Sequence, residues 1–144
     1  MSTRSRTFTV GDHPEVAVTV SSADVSVLEG DPGVIALEAE GSESGLEQLT
    51  VMQAGGVVTV STRKGGWSWG RGRLEIKLVV PAGTAIGVRA ASGDISILGL
   101  ASDVAIEGAS GDVHLAAFDG RARIKTASGD LTVGSAVGEL QVAT

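Results

Sequence analysis

A nine-residue repeat in the second half of the chain limits its fold more than any other feature of the sequence. Ser-Gly-Asp occurs at 92–94, 110–112 and 128–130, at intervals of 18 residues, and a related turn sequence lies midway between successive copies. The period is therefore nine residues, and it continues from Thr84 to Thr144. One such unit holds a short strand and a turn and buries almost nothing alone, so the units must stack to form a core.

Apolar residues recur at fixed positions of the repeat. When Thr84 and its equivalents are numbered one, positions three and five are apolar in every copy, as at Ile95 and Ile97. These two positions share one face of a strand because side chains alternate along it with period two. Position eight is apolar as well, and we expect it to point inward at the corner that follows each strand. Its members are Ala91, Leu100, Ala109, Phe118, Ala127 and Ala136.

Stacking of these units predicts an all-β fold, a parallel β-solenoid of the right-handed β-helix or β-roll type. Two nine-residue strand-turn units form an 18-residue coil, which places residues 18 apart on neighbouring strands, about 4.8 Å from each other. Two outward columns at this spacing alternate in charge, which stabilises adjacent strands. They are Arg89, Glu107 and Lys125, and Asp103, Arg121 and Glu139. The other outward face is flat and uncharged and consists of Ser96, His114, Thr132, Leu98, Ala116 and Gly134.

The first part of the chain is less regular than the second. We expect residues 1–83 to form β-strands that begin the solenoid and cap it, followed by the regular repeats of 84–144 in the same single domain, 1–144. The repeats stop at Thr144, seven residues into a unit. An uncovered strand edge favours pairing with another strand. We therefore expect either a longer natural chain or a second chain over the last coil.

Local signals in this first part identify two further elements. Gly55 and Gly56 lie between apolar runs at 49–53 and 57–61, and this pattern predicts a β-hairpin. Residues 74–80 alternate in the same way and predict another strand, which Pro81 and the following residues end.

Composition and charge exclude several classes of protein. The 21 glycines argue against a helical bundle, because each glycine inside a helix costs about 1 kcal/mol. The absence of cysteine excludes disulfides and thiolate metal sites. A net charge of −6 disfavours nucleic-acid binding, which needs basic surface. The sequence shows no signal peptide and no apolar run that could span a membrane, so we expect a cytoplasmic protein if Met1 is the natural start.

The segment 63–73 is the local candidate for a binding site. It contains both tryptophans, at alternating positions, and four of the eleven basic residues. Aromatic rings interleaved with arginines can stack on sugars or lie at an anionic membrane surface. The alternative is that the tryptophans pack over an end of the solenoid while the basic groups stay solvated. The candidate residues are Arg63, Lys64, Trp67, Trp69, Arg71 and Arg73.

The glycine and aspartate of the Ser-Gly-Asp turns invite two interpretations. Glycine tolerates positive φ and aspartate can bond to the backbone, so the residues can form a structural ladder of turns. Calcium-binding β-rolls also use nine-residue Gly/Asp repeats, but each ion needs six or more oxygens, and one aspartate per turn is too few. We therefore favour the structural role. The turn ladder comprises Gly93, Asp94, Gly111, Asp112, Gly129 and Asp130.

No group of residues in the sequence indicates catalysis or a metal site. His13 and His114 are the only histidines, and the repeat places no third ligand near either of them. The recurring serines are turn residues without a histidine base to activate them. We therefore expect no enzymatic activity, no cofactor and no bound metal.

The repeats resemble a bacterial family. Ser-Gly-Asp followed by alternating apolar residues, Val-Val-Pro-Ala-Gly at 79–83 and Leu-Glu-Gln-Leu-Thr-Val at 46–51 are similar to the putative-adhesin β-strand-repeat family, domain of unknown function 4097. The resemblance extends over nearly the whole chain. It implies an all-β repeat fold and supplies no catalytic residues.

These observations lead to one expected function and two alternatives. We expect a non-catalytic structural or interaction module, adhesin-like, that contacts a protein partner or a second copy through a solenoid edge or its flat face. The first alternative is a self-assembling scaffold that forms filaments. The second is a β-roll that binds polysaccharide or calcium. Membrane or carbohydrate contact would involve the segment 63–73, and no nucleic-acid partner is expected.

Overall fold

β-strands form nearly all of the chain that the structure, a computed structural model, describes. The described residues are 2–41, 46–47, 49–62, 74–136 and 139–143. Within them, twelve strands form one mixed sheet, so the all-β prediction is confirmed. The strands are β1 (Ser2–Thr9), β2 (Glu15–Gly30), β3 (Val34–Gly41), β4 (Leu49–Ala54), β5 (Val57–Thr62), β6 (Leu74–Pro81), β7 (Thr84–Ser92), β8 (Ile95–Ser110), β9 (Val113–Phe118), β10 (Arg121–Thr126), β11 (Leu131–Ala136) and β12 (Glu139–Ala143).

One run of the sheet, which we call the first ladder, contains β4, β5, the first half of β2, β7, the second half of β8, β10 and β12. From β7 onward its strands are parallel and pair residues 18 positions apart. Val104, for example, pairs with Ile86 on β7 and with Ala122 on β10. The predicted 18-residue spacing between neighbouring strands is therefore confirmed here.

The second ladder contains β1, β3, β6, the second half of β2, the first half of β8, β9 and β11. Val113 pairs in parallel with Ile95 on one side and Leu131 on the other, again 18 residues away. β1 and β3 add to β6 as antiparallel strands. At the same end of the first ladder, β4 and β5 form the predicted hairpin, in which Gly55 has a φ of 61°.

Strand β2 lies inside both ladders although all four strands that it pairs with follow it in the chain. Its first half pairs with β5 and β7, and its second half pairs with β6 and β8. Val16 opposes Ile86, and Val25 opposes Ile95, at separations of 70 residues. The order of strands in space therefore differs from their order in the chain.

The core lies between the ladders and is filled by alternate residues of each strand. The buried residues change from even to odd numbers where β2 passes from one ladder to the other: Val16 and Val18 are buried before this point, and Val25 and Val27 after it. Residues of both ladders belong to a single hydrophobic cluster. Phe118 is fully buried at a corner of this cluster.

The two corners of an 18-residue coil bury different positions of the repeat, so the expectation that position eight points inward is partly wrong. Phe118 points inward, as expected, but Ala91, Ala109 and Ala127 are exposed, and Leu100 is 38% exposed. At the Ser-Gly-Asp corners the last buried residue is at position seven instead, as at Ala90 and Thr126. The complete structural repeat is therefore the 18-residue coil, because its two nine-residue halves turn differently.

The charge columns predicted from the repeat are confirmed. Arg89 and Glu107 are paired in register, and the guanidinium Nη2 lies 2.8 Å from Glu107 Oε2. Lys125 opposes the same glutamate on its other side. In the second column the Arg121 Nε lies 3.6 Å from Glu139 Oε2. All of these side chains lie on the outward face of the first ladder.

Candidate functional site

A groove of about 410 Å³ crosses the outward face of the first ladder. Its floor is formed by small residues of neighbouring strands, Ala85 and Gly87 on β7 and Ala105 on β8. Gly87 and Ala105 are paired in register, so both point outward at the same level. A Cβ added to Gly87 would lie 3.9 Å from the carbonyl oxygen of Val16, the nearest heavy atom beyond the adjacent residues, so the floor is open above this residue.

Longer polar side chains surround this floor. Arg123 pairs with Ala105 on one side and with Gln141 on the other, so these two long side chains continue the row of the floor. Asp103 and Arg121 lie along one flank. The remaining lining residues are Glu15, Ile86, Val104, Ala122 and Glu139.

The charges in the groove are unevenly compensated. Arg121 donates its backbone N–H to Asp103 Oδ1 at 2.8 Å, and its guanidinium contacts Glu139. Arg123 has no ion pair with any residue of the described segments, and its two register neighbours, Ala105 and Gln141, are uncharged. Three carboxylates, of Glu15, Asp103 and Glu139, and two guanidiniums line the groove, and of these guanidiniums that of Arg123 has no ion pair within the described segments. A planar guanidinium is well suited to bind a carboxylate or another oxyanion.

The residues of the predicted turn ladder form a second row, at one corner of the coils. The backbone N–H of Asp112 donates to Asp94 Oδ1, and that of Asp130 donates to Asp112 Oδ1, both at 2.9 Å. Asp24 on β2 extends the row, since its Oδ1 accepts the N–H of Asp94 at 2.9 Å. One oxygen of each of these three accepting carboxylates is therefore used within the protein. This bonding favours the structural interpretation over calcium binding.

The glycines of the same row are required by the close approach of successive coils. Gly93, Gly111 and Gly129 have φ values of 116°, 117° and 111°. A Cβ at Gly111 would overlap the carbonyl oxygen of Gly93 and lie 2.8 Å from its carbonyl carbon. Neither the dihedral angle nor the space suits a residue with a side chain.

The remaining candidates from the sequence are the segment 63–73 and the histidines. Arg63, Lys64, Trp67, Trp69, Arg71 and Arg73 lie outside the described residues, and their role stays a prediction. His114 is exposed and opposes Ser96 and Thr132. The described segments contain no group of three or more histidine, aspartate or glutamate side chains that could hold a metal ion. They also contain no helix long and apolar enough to cross a membrane.

The groove was not among the sites expected from the sequence. The sequence prediction placed the flat surface on the strands of the second ladder, around Ser96 and His114. A signal for the groove is nevertheless present. In β10, Arg121, Arg123 and Lys125 alternate with inward residues, and the corresponding positions of β7 include Ala85 and Gly87.

Comparison with solved structures shows what the fold is similar to. A putative cell adhesion protein from Clostridium sporogenes aligns over 99% of both chains with 10% identity and a TM-score of 0.54. A putative adhesin from Parabacteroides distasonis aligns over 98% of this chain and 77% of its own, with 14% identity and a TM-score of 0.48. At such identities the likeness concerns the fold alone.

Sequence comparison identifies the family. No curated protein matches the chain. The family model described as Toastrack DUF4097, in contrast, matches residues 13–143, which include every strand except β1. The chain therefore belongs to the DUF4097 toastrack family.

Proposed function

We propose that this chain is a non-catalytic, adhesin-like binding module built on a two-sided parallel β-solenoid, and that it binds an acidic polysaccharide in the groove of the first ladder. The solenoid interpretation is supported by the in-register pairs at 18-residue separation in both ladders. The row of carboxylate-to-backbone hydrogen bonds along one corner supports it as well.

A binding role is supported because several polar groups that line the groove already bond to other groups of the protein. Asp103 accepts a backbone N–H, and the guanidinium of Arg121 faces Glu139. The residues that line the groove include no serine, cysteine, histidine or lysine. Polysaccharide-cleaving enzymes use a pair of carboxylates instead, and two of the three in this groove, Asp103 and Glu139, already bond within the protein. The arrangement resembles a rigid recognition surface more than a catalytic centre, which needs a nucleophile and a base within hydrogen-bonding reach.

The choice of ligand depends on one observation, the guanidinium of Arg123, which has no ion pair within the described segments. It extends beside Gln141 at one end of a floor of small residues, so an extended chain can lie on the floor with an acidic group at the guanidinium. A polysaccharide with carboxylate-bearing sugars combines flat rings with repeated negative charges. Hydrogen bonds to charged groups contribute about 1.5–3 kcal/mol each, so a few such sites give measurable affinity for a polymer.

The test compares binding of polygalacturonate and neutral dextran by titration calorimetry. We expect the chain to bind polygalacturonate only, and more weakly as salt is added. Arg123→Gln should weaken binding by about tenfold or more, from the loss of a charge-assisted hydrogen bond. Ala105→Leu should also weaken binding because it fills the floor of the groove.

Lys125→Gln is the matched control. It removes the same charge from the same strand at a residue that does not line the groove. We expect it to change the affinity by less than about twofold, because Lys125 does not contact the groove and lies opposite the carboxylate of Glu107, which offsets its charge. Equal losses for both variants would refute the groove as the site. Equal binding of polygalacturonate and dextran by the unmodified chain would refute the ligand class.

A further inference from the structure

The groove of the first ladder carries opposite charges at the two ends of its floor. The guanidinium of Arg123 on β10 lies at one end, and the carboxylate of Glu15 on β2 lies at the other. Both side chains are exposed, and neither has an ion pair within the described segments. Strands β7 and β8 separate them and contribute the small residues of the floor. The floor therefore has a positive end and a negative end.

The backbone around Glu15 holds this residue at the edge of the floor. Its N–H donates to the carbonyl of Gly56 at 2.9 Å. Ala85, its register partner on β7, donates to the carbonyl of Pro14 at 3.1 Å. These bonds fix the position from which the side chain extends, while the carboxylate itself accepts no hydrogen bond from another residue of the described segments. The carboxylate is therefore free to bind a ligand.

A second carboxylate adds to the charge at the negative end. Asp103 lies on β8 beside Ala85, because the residues that follow these two are paired in register. Its Oδ1 accepts the backbone N–H of Arg121 at 2.8 Å. A backbone N–H has no net charge, so the carboxylate of Asp103 stays negative after this bond is formed. Ala85 thus lies between two carboxylates, those of Glu15 and Asp103.

The distance between Glu15 and Arg123 suits a polymer. Strand β2 is separated from β10 by three strand spacings of about 4.8 Å, and Glu15 lies two residues before the position on β2 that is level with Arg123. The two Cα atoms are therefore about 16 Å apart. Several sugar rings of an extended polysaccharide span such a distance, so the two ends of the floor contact different sugars of one chain.

A polymer whose only charged groups are carboxylates fits one end of this floor. Its carboxylate at Arg123 gains a charge-assisted hydrogen bond, but the carboxylates further along the chain approach Glu15 and Asp103, where like charges repel. A polymer that also carries ammonium groups can place one of them between these two carboxylates. An ammonium group has several N–H donors, and the small side chain of Ala85 leaves room for it.

We propose that the ligand of the groove is a zwitterionic polysaccharide, in which uronate sugars alternate with amino sugars whose amines are free, and that Glu15 selects it. This inference rests on the binding function proposed above and narrows its ligand class. Arg123 binds a carboxylate, and Glu15 binds an ammonium group further along the same polymer. Polygalacturonate, which has no ammonium group, is held through Arg123 alone.

Hyaluronan and its de-N-acetylated form test this charge pattern, because they share alternating uronate sugars and differ only in the amine. Titration calorimetry with size-matched polymers should show that the unmodified chain binds the de-N-acetylated form about tenfold more tightly, from the added charge-assisted hydrogen bond. In Glu15→Gln this preference should fall below about twofold, while the affinity for hyaluronan itself should not decrease. Glu38→Gln is the matched control and should keep the preference. It removes the same charge from an exposed glutamate of β3, on the second ladder.

Arg123→Gln separates binding in the groove from general attraction of a cationic polymer to a chain with a net charge of −6. This variant is more negative, so general attraction would strengthen, whereas we expect the de-N-acetylated polymer to bind more weakly. Equal affinity of the unmodified chain for both forms of hyaluronan would overturn the inference, and so would an equal loss of the preference in Glu15→Gln and Glu38→Gln. In either case, binding of polygalacturonate would still support the proposed function. No binding of any of the three polymers would overturn both.

Discussion

Replacement of Gly111 by alanine should destabilise the fold strongly, and the same replacement at Gly87 should not. Gly111 has a φ of 117°, and its new Cβ would overlap the Gly93 carbonyl. Left-handed strain costs about 1–3 kcal/mol for a residue with a side chain. Because the clash is with backbone atoms, the turn at this corner must open. The adjacent hydrogen bond from Asp112 N–H to Asp94 Oδ1 is then lost, which costs about 0.5–1.5 kcal/mol more in stability.

The expected loss for Gly111→Ala is therefore about 2–4 kcal/mol of the free energy of unfolding. This corresponds to a decrease of about 5–15 °C in the melting temperature for a domain of this size. For Gly87→Ala we expect a change within about 1 kcal/mol, in the stabilising direction, because alanine lowers the entropy of the unfolded chain. Thermal and urea unfolding followed by circular dichroism measure both. Equal stability of the two variants would refute the argument that contact between successive coils determines which glycines are required.

Three further substitutions test other parts of the structure. Phe118→Ala removes a fully buried side chain and should cost about 3–5 kcal/mol in urea unfolding; a loss below about 1 kcal/mol would contradict its place in the core. Glu107→Gln breaks an exposed ion pair with side chains 68% and 49% exposed, so the loss should stay below about 1 kcal/mol and vanish in high salt. Gln53→Ala should raise amide exchange rates in β1 and β4 but not in β9, since Gln53 joins β4 to the carbonyl of Thr9.

The regular part of the fold could be predicted because residues that are neighbours on adjacent strands are separated by a fixed number of positions in the sequence. Once the unit of nine residues is recognised, the partners of Val104 are the residues 18 positions away on either side, and the structure has them there. The hairpin around Gly55 could be predicted for a related reason, since its strands are joined by the turn itself. In both cases the pairing is local or periodic.

The position of β2 could not be predicted in this way. Its partners on β7 and β8 are 70 residues distant, and no periodic spacing connects Val16 with Ile86. Asp24 joins the row of turn carboxylates although it lies outside the repeats. The only local signal is that Ala23 follows Pro14 by nine residues, as in the repeats. Long-range pairing of this kind depends on which strand best completes the core.

The groove was missed because it runs across the strands rather than along them. Gly87, Ala105 and Arg123 belong to three different strands, and each is unremarkable in its own segment of sequence. Only the register of the ladder shows that two small residues are followed by an arginine without a carboxylate beside it. In segment 63–73 aromatic and basic residues are adjacent in the chain, whereas a site assembled by register has no such local density.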